Sequence, residues 1–133
     1  MMTLKLPLSV PVSRNKTFIL NLNNYRNAHF QVLDKAKKLY VDEVRAALPS
    51  PVEKFTGQVE LTYTLFQPTN RRVDISNPLS VIDKFTCDAL TSLGVIPDDS
   101  AKYIPVVIKV WGGVDKENPR AELEIREIGR TIL

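Results

Sequence analysis

At 133 residues, with 44% hydrophobic and 25% charged content, the chain is long enough for one domain with a proper core and has the composition of a soluble globular protein. The net charge of +3 is only mildly basic; the lone Cys87 excludes an intramolecular disulfide framework and fits a reducing compartment. The lone His29 excludes histidine-rich metal sites and leaves a Ser-His-Asp triad without a marked base, while the lack of a long apolar run or a secretory core at the N-terminus points to a cytoplasmic protein with no membrane partner.

In chain order, residues 2 to 6 read as a short strand closed by Pro7. The following PLSVPVSRNK stretch reads as irregular, because Pro7 and Pro11 interrupt a ladder. Thr17 to Leu22 reads as a second strand or extended arm. The segment NLNNYRN, residues 21 to 27, predicts a loop in which Asn24, Tyr25 and Arg26 sit together. Two readings fit it: a polar clamp on a phosphate backbone with Tyr25 stacking on a base, or a turn exploiting the backbone tolerance of asparagine.

Ala28 to Leu48 predicts a helix with Leu33, Ala36, Tyr40, Val44 and Ala47 on one stripe, ended by Pro49 and Pro51. Its charges Lys35, Lys37, Lys38 and Arg45 are diluted by Asp34, Asp42 and Glu43, as on a solvated face. Gln58 to Phe66 alternates as a strand with one buried face. Asn77 as cap, Pro78 at the first helical position and Gly94 as stop frame a second helix. Its apolar face holds Leu79, Ile82, Phe85, Ala89, Leu90 and Leu93, with Ser80, Asp83, Lys84 and Cys87 opposite. Ala101 to Trp111 is β-rich, Gly112 to Pro119 reads as a hairpin loop, and Arg120 to Ile128 alternates again. The tail GRTIL could pack Ile132 and Leu133 on a partner. The expected fold class is α+β, one domain over 1–133 in the order β-β-α-β-α-β-β, with two helices on one face of a mixed or antiparallel sheet.

Five of the fifteen acidic residues, Asp74, Asp83, Asp88, Asp98 and Asp99, fall in or beside the second helix. As a divalent-metal site they would neutralise a phosphodiester and supply a nucleophilic water, with oxygen ligands favouring Mg²⁺ or Mn²⁺. Lys84 would then stabilise transition-state charge, and Arg71 and Arg72 would hold flanking phosphates. The competing reading is a turn at Asp98-Asp99, a surface ion pair between Lys84 and Asp88, and Asp83 facing water. The helix spans roughly 24 Å, so Asp74 and Asp99 start at its opposite ends. They meet only if Gly94 to Asp98 runs back nearly extended, at about 3.3 Å per residue, or if a second subunit joins them.

Taken in order, Arg71-Arg72, Asp74, Asn77, Lys84, Asp88-Ala89-Leu90, Gly94 and Asp98-Asp99 resemble the RusA family of Holliday-junction resolvases. That family's pattern is an arginine-rich lead-in, D-x-D-N, a helix with a lysine and D-A-L, then a glycine and a D-D pair. The N-terminal Leu6-Pro7, the asparagine-rich segment and the β-rich C-terminus are similar as well. The resemblance implies a Mg²⁺-dependent homodimer that binds four-way DNA junctions and nicks two strands symmetrically. It implies that Asp74 and Asp99 match the first and last catalytic aspartates and Lys84 the essential lysine, with Asn77 and Asp88 in support. One departure stands out: the second aspartate of D-x-D is Ser76 here, and about four extra residues, close to one helical turn, precede Lys84. Asp83 is the replacement carboxylate in this reading, and Asp98 a further ligand. Arg14, Lys16, Asn24, Tyr25, Arg26, Arg71 and Arg72 are the candidate DNA contacts. The alternatives are a junction-binding protein that does not cut, because of Ser76, and a small interaction domain whose acids are only surface.

Overall fold

The computed structural model describes residues 1–129; the expectation for Ile132 and Leu133 lies outside them. The architecture is α+β: a mixed four-stranded sheet, a two-stranded hairpin and three helices. The elements are β1 (Met2–Leu6), β2 (Ser9–Ser13), β3 (Lys16–Ile19), α1 (Leu22–Asn27), α2 (Phe30–Ala47), β4 (Val59–Gln67), α3 (Ser76–Ser92), β5 (Val106–Val114) and β6 (Arg120–Glu127).

The sheet runs β1-β6-β4-β5, with β4 and β5 parallel and the other pairs antiparallel. Strict alternation along β4 turns Val59, Leu61, Tyr63, Leu65 and Gln67 inward. In register beside them, Ala121, Leu123 and Ile125 of β6 and Leu4 and Leu6 of β1 complete one buried face. Helices α2 and α3 cover that face as one core. Phe85 of α3 is its aromatic centre, meeting Phe18, Tyr25 and Tyr40 at ring separations of 5.7 to 6.2 Å.

Several local expectations need correction. The stretch around Pro11 is a strand, because a two-stranded hairpin leaves each strand an open edge where a missing N–H costs nothing; the register shifts just after it. The asparagine-rich segment is the short helix α1 rather than a loop: the Asn21 side chain accepts from Asn24 N (2.8 Å) and starts it. Asn77 does not cap α3. It lies inside the first turn, and its Oδ1 accepts from Leu22 N (2.9 Å), tying α1 to α3. Residues 101–103 form a turn, and β5 begins only after Pro105.

The 112–119 segment is not a hairpin loop either. Strands β5 and β6 lie on opposite sides of β4, so residues 115–119 cross its C-terminal end. Asp115 N donates to Gln67 O there (2.9 Å), and Arg120 binds Asp115 and Glu122 (2.8 and 2.9 Å). Gly112 marks a register shift in β5. A Cβ on it would come within 2.7 Å of the Phe66 and Thr64 side chains, so only glycine fits.

Candidate functional site

Helix α3 is buried on more than one side. Beside the expected Leu79, Ile82, Phe85, Ala89 and Leu90, it buries Val81, Thr86 and Cys87. The expected polar face is therefore not a free surface: Cys87 is buried, Ser80 and Asp83 are half-buried, and only Lys84 is exposed. The reason is the sheet. Tyr63 of β4 and Lys109 of β5 are register neighbours in parallel strands, and both turn toward α3. The Tyr63 hydroxyl donates to Asp83 Oδ1 (2.7 Å), Cys87 Sγ donates to the same oxygen (3.2 Å), and Lys109 Nζ donates to Ser80 Oγ (3.0 Å). Burial, then the neighbouring Cys87 and Asp83, holds the Tyr63 proton well above its ordinary range. Burial and then Asp83 push the Cys87 thiol up as well, so both remain protonated donors. Oδ1 of Asp83 is thus aimed by two neutral donors, and among the described residues no cation pairs with its charge.

Asp74 lies exposed just before α3. Its Oδ1 accepts from Ser76 N (3.0 Å) and its carbonyl from Asn77 N (3.0 Å), so Asp74 starts the helix that Asn77 was expected to cap. Beyond α3 the chain does not run back extended. Val95 and Ile96 are buried, their N–H groups returning to Leu90 O, and the chain bends at Asp99. Asp99 still comes close enough to add to the upward push on Cys87. Asp98 is engaged locally, hydrogen bonds from the Ser100 side chain and the Asp99 backbone lowering its carboxyl below its ordinary value. The structure thus draws Asp99 toward the Asp83–Cys87 stretch and leaves Asp74 at the other end, on the order of 10 Å along the axis from Asp83. Among the described residues, no three His, Cys, Asp or Glu side chains gather as a metal-holding group. The Lys84–Asp88 ion pair of the competing reading is not formed among the described residues: Lys84 is exposed, Asp88 half-buried, and none of the five aspartates enters an ion pair there.

The basic candidates divide into groups. Arg14 sits at the tip of the β2–β3 hairpin and Arg26 on α1, both exposed. Lys16 and Asn24 line one cleft of about 210 Å³ with Phe18 and Val32. Arg71 and Arg72 line an open groove of about 330 Å³ with Gln67, Val73 and Trp111. Tyr25 is half-buried: its ring edge meets Phe85, and Lys37 lies 5.9 Å from its centroid. The residues the sequence left unassigned are Tyr63, Lys109, Gln67 and Trp111. Gln67 is buried and organises the Arg71 loop, donating to Thr69 O and Arg71 O while accepting from the Trp111 indole (2.8 Å). A tyrosine in mid-strand on a buried face needs a partner for its hydroxyl, and a lone lysine in VVIKVW needs one for its charge. Those two needs were the available signals.

No protein-family model matches the chain, and no curated protein matches it.

Proposed function

We propose that this protein is a Mg²⁺-dependent, structure-selective DNA endonuclease of the RusA type, acting as a homodimer that resolves four-way junctions by paired symmetric nicks. The observation that carries the reading is Asp83. A carboxylate merely facing water has no use for two buried donors, whereas a metal-holding carboxylate is characteristically oriented by hydrogen bonds behind it. Tyr63 and Cys87 occupy Oδ1, and no hydrogen bond or ion pair engages Oδ2 among the described residues.

As oxygen donors the aspartates suit Mg²⁺ or Mn²⁺, but they do not form one preassembled set. Asp83 would hold the ion, with Asp99 as its partner; Asp98 is engaged locally, and Asp74 lies at the other end of α3 and would join only from a second subunit. No ion pair neutralises any of them among the described residues. When bound, the ion supplies charge neutralisation at the phosphate and a nucleophilic water. Lys84, exposed beside Asp83, presents its ammonium to the leaving oxygen. Arg71 and Arg72, held by the Gln67 hydrogen bonds to their loop, take flanking phosphates. Lys16 and Asn24 offer a second backbone contact, and the Asn77 bond to Leu22 keeps α1 against the start of α3, near Asp74.

The deciding experiment is cleavage of a labelled synthetic four-way junction with Mg²⁺ or EDTA, for wild type and Asp74→Asn. Paired nicks that vanish in EDTA and in the variant are expected. Tight binding without nicks from the wild type would favour a junction-binding protein, the reading to which Ser76 and the separation of Asp74 from Asp83 lend weight.

A further inference from the structure

Trp111, the only tryptophan, is 55% exposed, yet its ring is fixed. The indole N–H donates to Gln67 Oε1 (2.8 Å), and the buried Gln67 is tied through its Nε2 to Thr69 O and Arg71 O. One buried amide thus sets both the plane of the indole and the course of the Arg71 loop. An aromatic ring left in water is a cost to the fold, and this one is oriented by a polar anchor with its body outside.

The groove of about 330 Å³ beside it is lined by Trp111, Arg71, Arg72, Val73 and Ile75. Both arginines are exposed and enter no ion pair among the described residues. Val73 and Ile75 flank Asp74 in the chain, so the groove opens at the start of α3. From there a seam runs between α3 and β5. Trp111 lies about 6.6 Å beyond Lys109 along β5, and Ser76 about 6 Å back from Ser80 along α3. The Lys109–Ser80 hydrogen bond (3.0 Å) therefore continues the line from Trp111 toward Asp83, which follows Ser80 by nearly one turn. Lys109 is half-buried, and among the described residues its ammonium has a hydroxyl and no carboxylate as partner.

We propose that this groove holds one unpaired nucleotide of a DNA strand. The indole stacks on its base, Arg71 and Arg72 take the phosphates on either side, and the strand continues past Lys109 along the seam toward Asp83. This rests on the proposed function only for the substrate being DNA, and it names the part of a branched DNA that the groove receives. Three features select that ligand. A fixed indole face recognises a flat π-system, and every base offers one once it leaves the stack. Inside an intact duplex both faces of a base are covered by its neighbours, so only an unpaired or extruded base can meet the ring. Two guanidinium forks and an ammonium along one line match successive phosphates; an acidic peptide would satisfy the cations and leave the indole without a flat partner.

Fluorescence titration of the full chain in EDTA tests this, because a base stacked on Trp111 quenches the one indole. The probes are a short oligothymidylate, thymidine monophosphate, a blunt duplex and polyglutamate. Oligothymidylate is expected to quench saturably, and the duplex and polyglutamate to leave the emission nearly unchanged. Trp111→Ala should weaken binding of a labelled oligothymidylate, read by anisotropy, by about 10-fold or more, and Trp111→Phe should recover most of it. Arg71→Gln and Arg72→Gln should each lower the slope of log affinity against log salt by about 0.7, while Lys38→Gln on the exposed face of α2 should not. Circular dichroism checks that each variant folds; should the variants fail to fold, the wild-type quenching decides. No quenching by saturating oligothymidylate, equal quenching by the duplex or polyglutamate, or wild-type affinity in a folded Trp111→Ala overturns the inference. Thymidine monophosphate that binds as tightly as the strand overturns it too, the groove then being a site for a free nucleotide. Junction cleavage in Mg²⁺ is read separately: quenching without nicks ends the nuclease reading and leaves the groove standing, and nicks without quenching do the reverse.

Discussion

Helices α2 and α3 are nearly the same length, 18 and 17 residues, yet α2 buries three side chains and α3 eight. Helix α2 buries a single stripe, Ala36, Tyr40 and Val44, against α3, β1 and β2, and its other faces return Lys35, Lys38, Asp42 and Glu43 to water. Helix α3 meets α1, α2 and the β2–β3 hairpin through Phe85 on one side, and the sheet through Tyr63 and Lys109 on the other. A polar residue on a helix with one interface is solvated by default. On a helix with two interfaces it has to be satisfied in place, and so acquires a definite orientation. That is why Asp34 or Asp42 on α2 says little about function while Asp83 says a good deal.

The sharpest way to break this contrast is to neutralise one carboxylate on each helix. Asp83→Asn keeps an oxygen able to accept from Tyr63, so the fold should survive, while Mg²⁺-dependent junction cleavage should fall by at least about 100-fold with binding retained. Asp34→Asn should leave cleavage within a factor of about two. Gel-based cleavage and binding assays read both. Undiminished cleavage by Asp83→Asn would end the idea that Asp83 replaces the carboxylate missing at Ser76. A smaller effect is expected behind the carboxylate. Tyr63→Phe preserves the ring in the core and removes one of two donors to Oδ1. Mn²⁺ affinity measured by calorimetry should drop about 10-fold, and stability by about 1 kcal/mol in urea unfolding. If affinity is unchanged and only stability falls, Tyr63 is a packing residue and nothing more.

The contrast also explains what was legible in the sequence. The boundaries of β1 and the bodies of β4, β6 and α2 follow from periodicities of 2 and 3.6, because each of those elements buries one face. The α3 apolar face was legible for the same reason, but its second interface was not: Ser80, Asp83 and Cys87 look like a solvated stripe until β5 is known to lie parallel to β4 and to bring Lys109 beside Tyr63. That pairing spans the whole of α3, and no local pattern encodes it. The crossing of residues 115–119 over β4 was hidden likewise, since two strands joined by a short glycine-containing segment predict a hairpin. Of the candidate site, the cluster of aspartates and the Arg71-Arg72 pair could be picked out from order alone. Which oxygen of Asp83 is held, and the packing of the Tyr25 edge against Phe85, depend on tertiary packing.

The smallest expected effect compares two tyrosines, one on each side of α3. Tyr40 on α2 donates to a neutral acceptor, Pro7 O (3.0 Å), and Tyr63 to a carboxylate (2.7 Å). Burial is the first cause that raises both phenols above the ordinary 10.0, and for Tyr63 the charge of Asp83 adds to it. A group whose folded pKa lies above its unfolded one favours folding fully below the unfolded value. That contribution is lost as pH rises through the folded one. Above pH 10.0 the unfolded chain therefore releases phenolic protons that the folded chain retains, and each tyrosine tilts the stability curve downward by roughly 1 kcal/mol per pH unit. Urea unfolding in EDTA at stepped alkaline pH should show Tyr40→Phe and Tyr63→Phe each flattening the decline by a similar step. Asp83→Asn separates them: it removes one of the charges holding up the Tyr63 proton, so the decline contributed by Tyr63 should level off at a lower pH, while the part removed by Tyr40→Phe stays the same in either background. Equal responses of the two tyrosines to Asp83→Asn would mean that burial and Cys87 hold the Tyr63 proton without Asp83, and that the carboxylate is less firmly engaged with the sheet than the 2.7 Å contact implies.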